Sequence, residues 1–551
     1  MKKVISLILC LLLSVMVIGC TPSSNGPTDS EGNTVTDQTK ILDIVMWNSG
    51  YGTKWVEKLA DEYKKSHPGI AINIDAKSGQ SGTSAFYNTI TTGVNANNAD
   101  LYFAYGPKYL DYVTGQYASN PLLESLNEVV EYTVPGESKT IGQKIGDKFL
   151  DVLVYDNETA DKTDDQYYAL SFSNGASGIV YNAKLFGEYN LSVPRTTDEM
   201  INLVVEIQDN TPYKGTRDGK VVFNQPATPF IHYPGYWMDA AQTWWAQYEG
   251  PQGMKDFWNF ANVSDIKNPL QAEYQTVGMK LALDAMYNVI ALPGATHATS
   301  NTESDYMTIQ SNFIEEEVAL MYPCGGFLET ELEKLDGFDL SVMNNFKMMR
   351  TPVLSAIANK LDAGHQTDNH LCQLIDFVDG VAEKPDWASD DEAEIVRAAR
   401  FADSGQATSS TIAVPSYALG KELAKDFLKF MFSDTGMKLF AETQRTFLSF
   451  SFDDATIVNS IDKSSWTSFA KSVFELSQNN DYFTPNDYKH PLRYKAGLIE
   501  WLDVNGAGTA EYWFTNPSET QRKTVDQYLD HAWTRLMAQW QVYLQGAGLA
   551  N

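Results

Sequence analysis

The strongest constraint on the fold lies between Ile41 and Ile74. Residues 41–47 (ILDIVMW) are apolar and rich in β-formers, and Asn48-Ser49-Gly50 closes the run, so it reads as a buried strand followed by a turn. Trp55, Val56, Leu59, Ala60 and Tyr63 then recur at helical spacing, with Thr53 placed to cap the start and Pro68-Gly69 to stop the run. Ile70, Ile72 and Ile74 alternate as a second strand. A strand, helix and strand in this order require a crossover, which fixes a parallel sheet with loops opening at the carboxyl ends of its strands. Ligands of open α/β sheets gather at those ends.

The sheet pattern continues at Asp100–Tyr105 (DLYFAY) and resumes at Tyr168–Leu170 and Gly178–Tyr181. Amphipathic helices are predicted over Thr197–Gln208, Lys421–Phe432 and Val525–Leu544. The polar stretch 353–408 reads as an inserted excursion and not as a new core. The acidic loop 156–165 (DNETADKTDD) lacks the alternating ligands and central glycine of an EF-hand and reads as solvated. A length of 551 residues calls for two or more domains. A net charge of −29 repels phosphate backbones and argues against nucleic acid as a partner.

At the amino terminus Lys2 and Lys3 precede an apolar run, Val4–Ile18, too short for a comfortable permanent span and typical of a secretory signal. It closes with Val17-Ile18-Gly19-Cys20, which resembles a bacterial lipobox. The resemblance implies a signal over 1–19, lipidation of Cys20 and a place on the extracellular face of the cell membrane. Residues 20–40 are mostly Ser, Thr, Asn, Gly, Pro and Asp, the composition of a flexible tether. Cys324 and Cys372 have no zinc-like spacing; they read as buried thiols, with a single disulfide between them the alternative outside the cell.

Taken in order, these landmarks resemble family 1 extracellular solute-binding proteins, the maltose-binding-protein-like group of ABC importers. VMWNSGYGTKWVEKLADEYKKSHPGIAINI (45–74) looks like the family's first βαβ unit, and Ala99-Asp100-Leu101-Tyr102 like its next strand. YALSFSNGASGIVYNAKLFGEYNLSVP (168–194) resembles its signature segment, with Asn190 where glycine is usual and Thr197-Asp198-Glu199 in place of Thr-Trp-Glu. Glu317–Met321 with Gly325-Gly326-Phe327 resembles its glycine-aromatic turn, with Phe where Trp is commoner. Ile412–Phe440 looks like its returning segment. The resemblance implies an α/β, two-lobed periplasmic-binding-protein-like fold of class II type, with discontinuous lobes, a hinge and a central ligand cleft. The lobes are expected at 41–155 plus 409–455, and at 156–408 plus 456–551. It further implies a monomer that binds a carbohydrate, an oligosaccharide in preference to a monosaccharide, and delivers it to permease subunits without a cofactor or a metal.

A sugar offers hydroxyls and an apolar C–H face, so its site needs aromatic platforms and planar or hydroxyl hydrogen-bonders. Trp47, Asn48, Ser49 and Tyr51 follow the first strand, and Tyr105 precedes Gly106-Pro107; Gln80 and Ser81 are weaker candidates. Ser173 and Asn174 stand where the family turns toward ligand, and Gly326 beside Phe327 allows close backbone approach to an aromatic face. In YPGYWMDAAQTWW (233–245), Trp237 and Trp245 are nominated, at least one of them to stack on sugar; the alternative is a helix packed on its own lobe. No P-loop, dinucleotide, zincin or serine-hydrolase motif is present. The competing readings are a surface-anchored glycoside-active enzyme, for which nothing marks a carboxylate pair, and a binder of a non-sugar solute such as a peptide.

Overall fold

The computed structural model describes residues 26–47, 50–77, 90–91, 99–104, 107–155, 165–172, 177–217, 220–403, 410–446, 451–478, 484–499, 501–502, 508–516 and 518–550. The opening unit forms as its pattern dictates. β1 (Ile41–Trp47) and β2 (Ala71–Lys77) are parallel and joined by the Lys54–Ser66 helix, and β3 (Leu101–Ala104) lies parallel on the other side of β1. A short pair, β4 (Val154–Tyr155) and β5 (Gln166–Tyr167), precedes β6 (Leu170–Ser171). Next come β7 (Ser177–Asn182), a hairpin of β8 (Pro212–Arg217) and β9 (Lys220–Pro226), β10 (Met321–Gly325), β11 (Phe346–Met349) and β12 (Thr411–Ala413). One sheet has the order β2-β1-β3-β12-β6, with β12 antiparallel to both neighbours, and a second has the order β10-β7-β11.

Each sheet organises a lobe. Successive strand residues point to opposite faces, so Leu42, Ile44 and Met46 pack with Trp55, Leu59, Phe427, Leu428 and Phe440, while Val45, Tyr102 and Ala413 pack with Tyr109, Leu110 and Leu123 on the reverse. The second lobe surrounds the Tyr236–Trp258 helix, whose residues are buried almost all round over 237–247. The polar stretch 353–408 proves to be part of this core. Its helices Asp368–Val378 and Asp390–Phe401 insert Leu371, Leu374, Ile375, Val378, Val396 and Ala399 beside Trp244 and Met286. Their apolar stripes are narrow, and the polar average of the segment hides them. Asn190 adopts φ 55°, the left-handed conformation that glycine takes freely and that asparagine tolerates better than most residues.

The chain leaves the first sheet after Phe172 and starts the second at Ser177, then returns between Asp403 and Ser410. Phe172 N–H donates to Ser410 O at 3.0 Å, so the last described residue before the outward passage and the first after the return are neighbours at the sheet edge. β6 therefore belongs to the first sheet, beyond the expected limit at residue 155, because β12 needs a partner on its free edge. Farther on, Ile461 and Trp466 still pack in the first lobe. The following Ser468–Ser477 helix turns Ala470 and Phe474 toward that lobe, and Phe469 and Val473 toward the second. Among the described residues no helix is long and apolar enough to cross a membrane. Cys324 and Cys372 are buried and unbonded.

Candidate functional site between the lobes

The carboxyl end of β1 faces the second lobe. Gly50, three residues past the strand, donates its N–H to Glu331 Oε1 at 3.2 Å. Glu331 lies on the Leu328–Leu332 helix, which follows β10 through Gly326-Phe327. The Tyr51 ring stands edge-on to Phe327 with centroids 6.3 Å apart, and also lies 6.5 Å from Phe440. Phe327 is half-buried and packs against the cores of both lobes. The β1 loop and the glycine-aromatic turn thus converge, although 276 positions separate Tyr51 from Phe327 (327 minus 51).

Charged groups surround this contact. Glu333 pairs with Lys54 Nζ at 2.7 Å and with Arg445 Nη1 at 2.8 Å. The same Arg445 atom donates to Glu329, which also accepts from Thr467 Oγ1. Gln310 Nε2 holds the second oxygen of Glu331 at 2.8 Å. Burial pushes the Glu329 and Glu331 carboxyls above the usual range. Burial acts the same way on Glu333, but hydrogen bonding and charge from Lys54 and Arg445 outweigh it and hold that carboxyl low. On the other flank Lys255 Nζ meets Asp151 at 2.5 Å, Lys489 Nζ donates to Asp151 O at 2.6 Å, and Tyr494 packs into the cluster on the reverse face of the first sheet. The lobes therefore meet on both sides of that sheet.

Asp403 anchors the crossing passages at the second lobe. Its carboxylate accepts from Ser177 N at 3.1 Å, Ser177 Oγ at 2.6 Å and Thr243 Oγ1 at 3.3 Å, and its carbonyl accepts from Thr484 N at 3.0 Å. Burial pushes its carboxyl up, and these donors pull it back. Behind it, Gln242 Nε2 donates to Asn486 Oδ1 at 2.8 Å.

The sequence candidates divide into three groups. Tyr51, Gly326 and Phe327 come together between the lobes. Asn48, Ser49, Tyr105, Ser173 and Asn174 lie outside the described residues, as do Gln80, Ser81 and Cys20; Trp47 ends β1, and its side chain is likewise outside the description. Trp237 and Trp245 are corrected: both are 0% exposed. Trp237 packs edge-on to Phe230 at 4.9 Å, while Trp245 stacks on Trp501 at 5.0 Å and donates Nε1–H to Thr276 Oγ1 at 2.9 Å. They are interior because their helix is the axis of the lobe, so neither presents a face to ligand in this structure.

Sequence reasoning missed Gly50, Lys54, Glu329, Glu331, Glu333, Arg445 and Asp403. The alternation of glutamates in LETELEK (328–334) was the available signal, but it looks the same as an acidic first helical turn. Asp362, His365 and Glu392 bring ligand atoms within 4.8 Å of one another. Glu392 already accepts from Asp362 N, His365 Nδ1 and the Ser389 N–H and hydroxyl, which makes this grouping a helix cap.

A family model described as bacterial extracellular solute-binding protein matches residues 49–305. No curated protein sequence matches the chain. Among solved structures, one from work on xylan utilization by the thermophilic bacterium Caldanaerobius polysaccharolyticus is similar with TM-score 0.53 and 14% identity, covering 90% of this chain and 100% of its own. The GacH receptor of Streptomyces glaucescens, solved unliganded and with acarbose, gives 0.52 and 12%, covering 92% and 99%. Maltose-bound MalE3 of T. maritima gives 0.51 and 10%, covering 90% and 99%. These similarities establish the two-lobed solute-binding fold.

Proposed function

We propose that this chain, which the bacterial extracellular solute-binding protein model matches over residues 49–305, is the binding component of an ABC-type importer that takes an oligosaccharide between its lobes and presents it to a membrane permease. The observation that carries this reading is the meeting of Tyr51 and Phe327, one aromatic ring from each lobe, beside the loop that ends β1. A ligand bridging two lobes stabilises the arrangement in which both touch it, and that arrangement is what a permease can recognise. Maltose and acarbose in the similar structures support a saccharide as cargo. Lipidation at Cys20 is proposed as the anchor: it raises the local concentration at the permease and keeps a monomeric binder on the extracellular face.

Binding chemistry follows from the parts. Tyr51 is buried and Phe327 half-buried in the arrangement seen here; in the proposed cycle they offer apolar faces to C–H groups once the lobes part, and the Asn48-Ser49 pair offers donors and acceptors to hydroxyls. Nothing in this scheme needs a cofactor, a metal or a bond-breaking step. Calorimetry and thermal melting against malto-, xylo- and chito-oligosaccharides test it. At least one series is expected to give heat and to raise the melting temperature, because ligand bound only by the folded state stabilises it. Phe327→Ala is expected to weaken that binding about tenfold or more, which is about 1.4 kcal/mol. A panel that neither gives heat nor moves the melting temperature would remove saccharides as the cargo.

A further inference from the structure

We infer that the Leu328–Leu332 helix of the second lobe, with Glu333 beyond it, is a charged clasp that grips the first lobe, so that Glu331 positions the loop after β1 and Arg445 holds the two lobes in the arrangement seen here. The inference rests on the two-lobed binding reading and names residues that govern it. Three glutamates at alternate positions, 329, 331 and 333, all reach the first lobe or its connection, two of them through Arg445. Glu331 takes the Gly50 N–H, Glu333 takes Lys54 and Arg445, and Glu329 takes Arg445 and the Thr467 hydroxyl at the start of the Ser468–Ser477 helix. The two ends of that grip belong to different lobes, since Arg445 ends the Asp434–Gln444 helix of the first-lobe core and the glutamates sit beside the second-lobe core residues Leu328 and Leu332.

The parts are unequal. Lys54 is 68% exposed on its side chain, so its pair with Glu333 is screened and contributes little. Arg445 is three-quarters covered and faces two glutamates at once, one of them almost fully buried. A carboxylate in that setting keeps its guanidinium because separation would leave a buried charge alone. Arg445 also has φ 58°, a left-handed conformation that costs a non-glycine residue some strain. Its N–H donates to Ala441 O as a helix cap, a place where glycine is the usual occupant. An arginine in a position suited to glycine, aimed across to two carboxylates of the other lobe, is the feature that distinguishes a clasp from incidental surface pairing. Glu331 acts differently: held by Gln310 on one oxygen and by Gly50 on the other, it fixes the backbone directly after Asn48-Ser49.

Arg445→Gly is the discriminating change, because it keeps the helix cap and relieves the strained backbone while deleting the guanidinium. Small-angle scattering of the purified protein, without ligand, should show a larger radius of gyration for Arg445→Gly than for the parent. Because the Arg445 pairs are largely covered and screened less than exposed ones, the parent should expand only slightly between low and high salt, and the variant should lose that small response. Lys438→Ala, which removes a pair with Glu442 on its own helix, should leave both readouts unchanged. Far-ultraviolet circular dichroism checks that each variant is folded, and Glu331→Gln provides a second variant whose expected effect is weaker saccharide binding with little change in size. A folded Arg445→Gly that matches the parent in size and in salt response would overturn the clasp, and saccharide binding in that case would leave the importer reading standing. Conversely, expansion of the variant in a protein that binds no saccharide of the panel would sustain the clasp and remove the sugar.

Discussion

Trp245 and Phe327 separate what an aromatic residue does from where it stands. Trp245 lies between Trp501 at 5.0 Å and Phe257 at 4.5 Å with its indole N–H satisfied by Thr276, so removing it leaves a large cavity. Trp245→Ala should cost about 3–5 kcal/mol of folding stability, read from urea unfolding, while protein that remains folded keeps its ligand affinity. Phe327→Ala, at a half-buried ring between lobes, should do the reverse, with a smaller loss of stability and a larger loss of affinity. Sequence alone presented both as rings in glycine- or tryptophan-rich stretches. Local composition is similar in the two cases, and the difference is made by which elements lie against them.

At the scale of elements, most of what formed was legible. The helices over 54–66, 197–210, 421–431 and 525–546 and the strands β1, β2, β3 and β7 fall within a few residues of their periodic patterns. Their cues are local: a cap, an apolar stripe, a stop. The Asp390–Phe401 helix shows where average composition misleads. Its first turn is acidic because it carries a capping box, in which Ser389 Oγ accepts from Glu392 N at 3.1 Å and Glu392 returns a bond to Ser389 N at 3.0 Å. Burial would raise the Glu392 carboxyl, but the Ser389 and Asp362 N–H groups and His365 outweigh it and hold it down to about 2. Ser389→Ala should lower stability by about 1 kcal/mol, measured by thermal or chemical unfolding, with no change in ligand affinity, since the cap faces the second-lobe core and not the cleft.

At the scale of the whole molecule, burial of ionisable groups sets the response to acid. His232, fully enclosed, is pushed down to about 3 by burial, and His490 is pushed down to about 4 by burial and by neighbouring Arg493. Both are neutral in the fold and take up protons more readily when unfolded. A depressed folded value means their contribution to stability is complete above the unfolded value of about 6.5 and declines as pH falls from there toward 4 and below. Glu511, pushed up to about 8 by burial in spite of the Gly235 N–H bond that opposes the shift, works in the opposite sense: its effect on stability is most favourable below about 4.5 and worsens as pH rises toward 8. His490→Asn retains a side chain able to cap Leu492 N and removes the titration. It should flatten the fall in melting temperature between about pH 6.5 and pH 4, a comparison that leaves the Glu511 contribution common to both proteins.

The sequence by itself determined the local elements, the parallel opening unit and the kind of fold, because helical and strand periodicities, caps and stop signals act within one or two turns of chain. It also placed Tyr51 and Phe327 in turns, where the structure has them. Only the tertiary structure decided that these two rings meet, that Trp237 and Trp245 are interior, that the polar stretch 353–408 belongs to the core, and that Arg445 reaches Glu329 and Glu333. Most of those outcomes depend on contacts between residues far apart in the chain, 276 positions for Tyr51 and Phe327 and 116 for Arg445 and Glu329, whose pairing is fixed by how elements pack and not by any spacing along the chain.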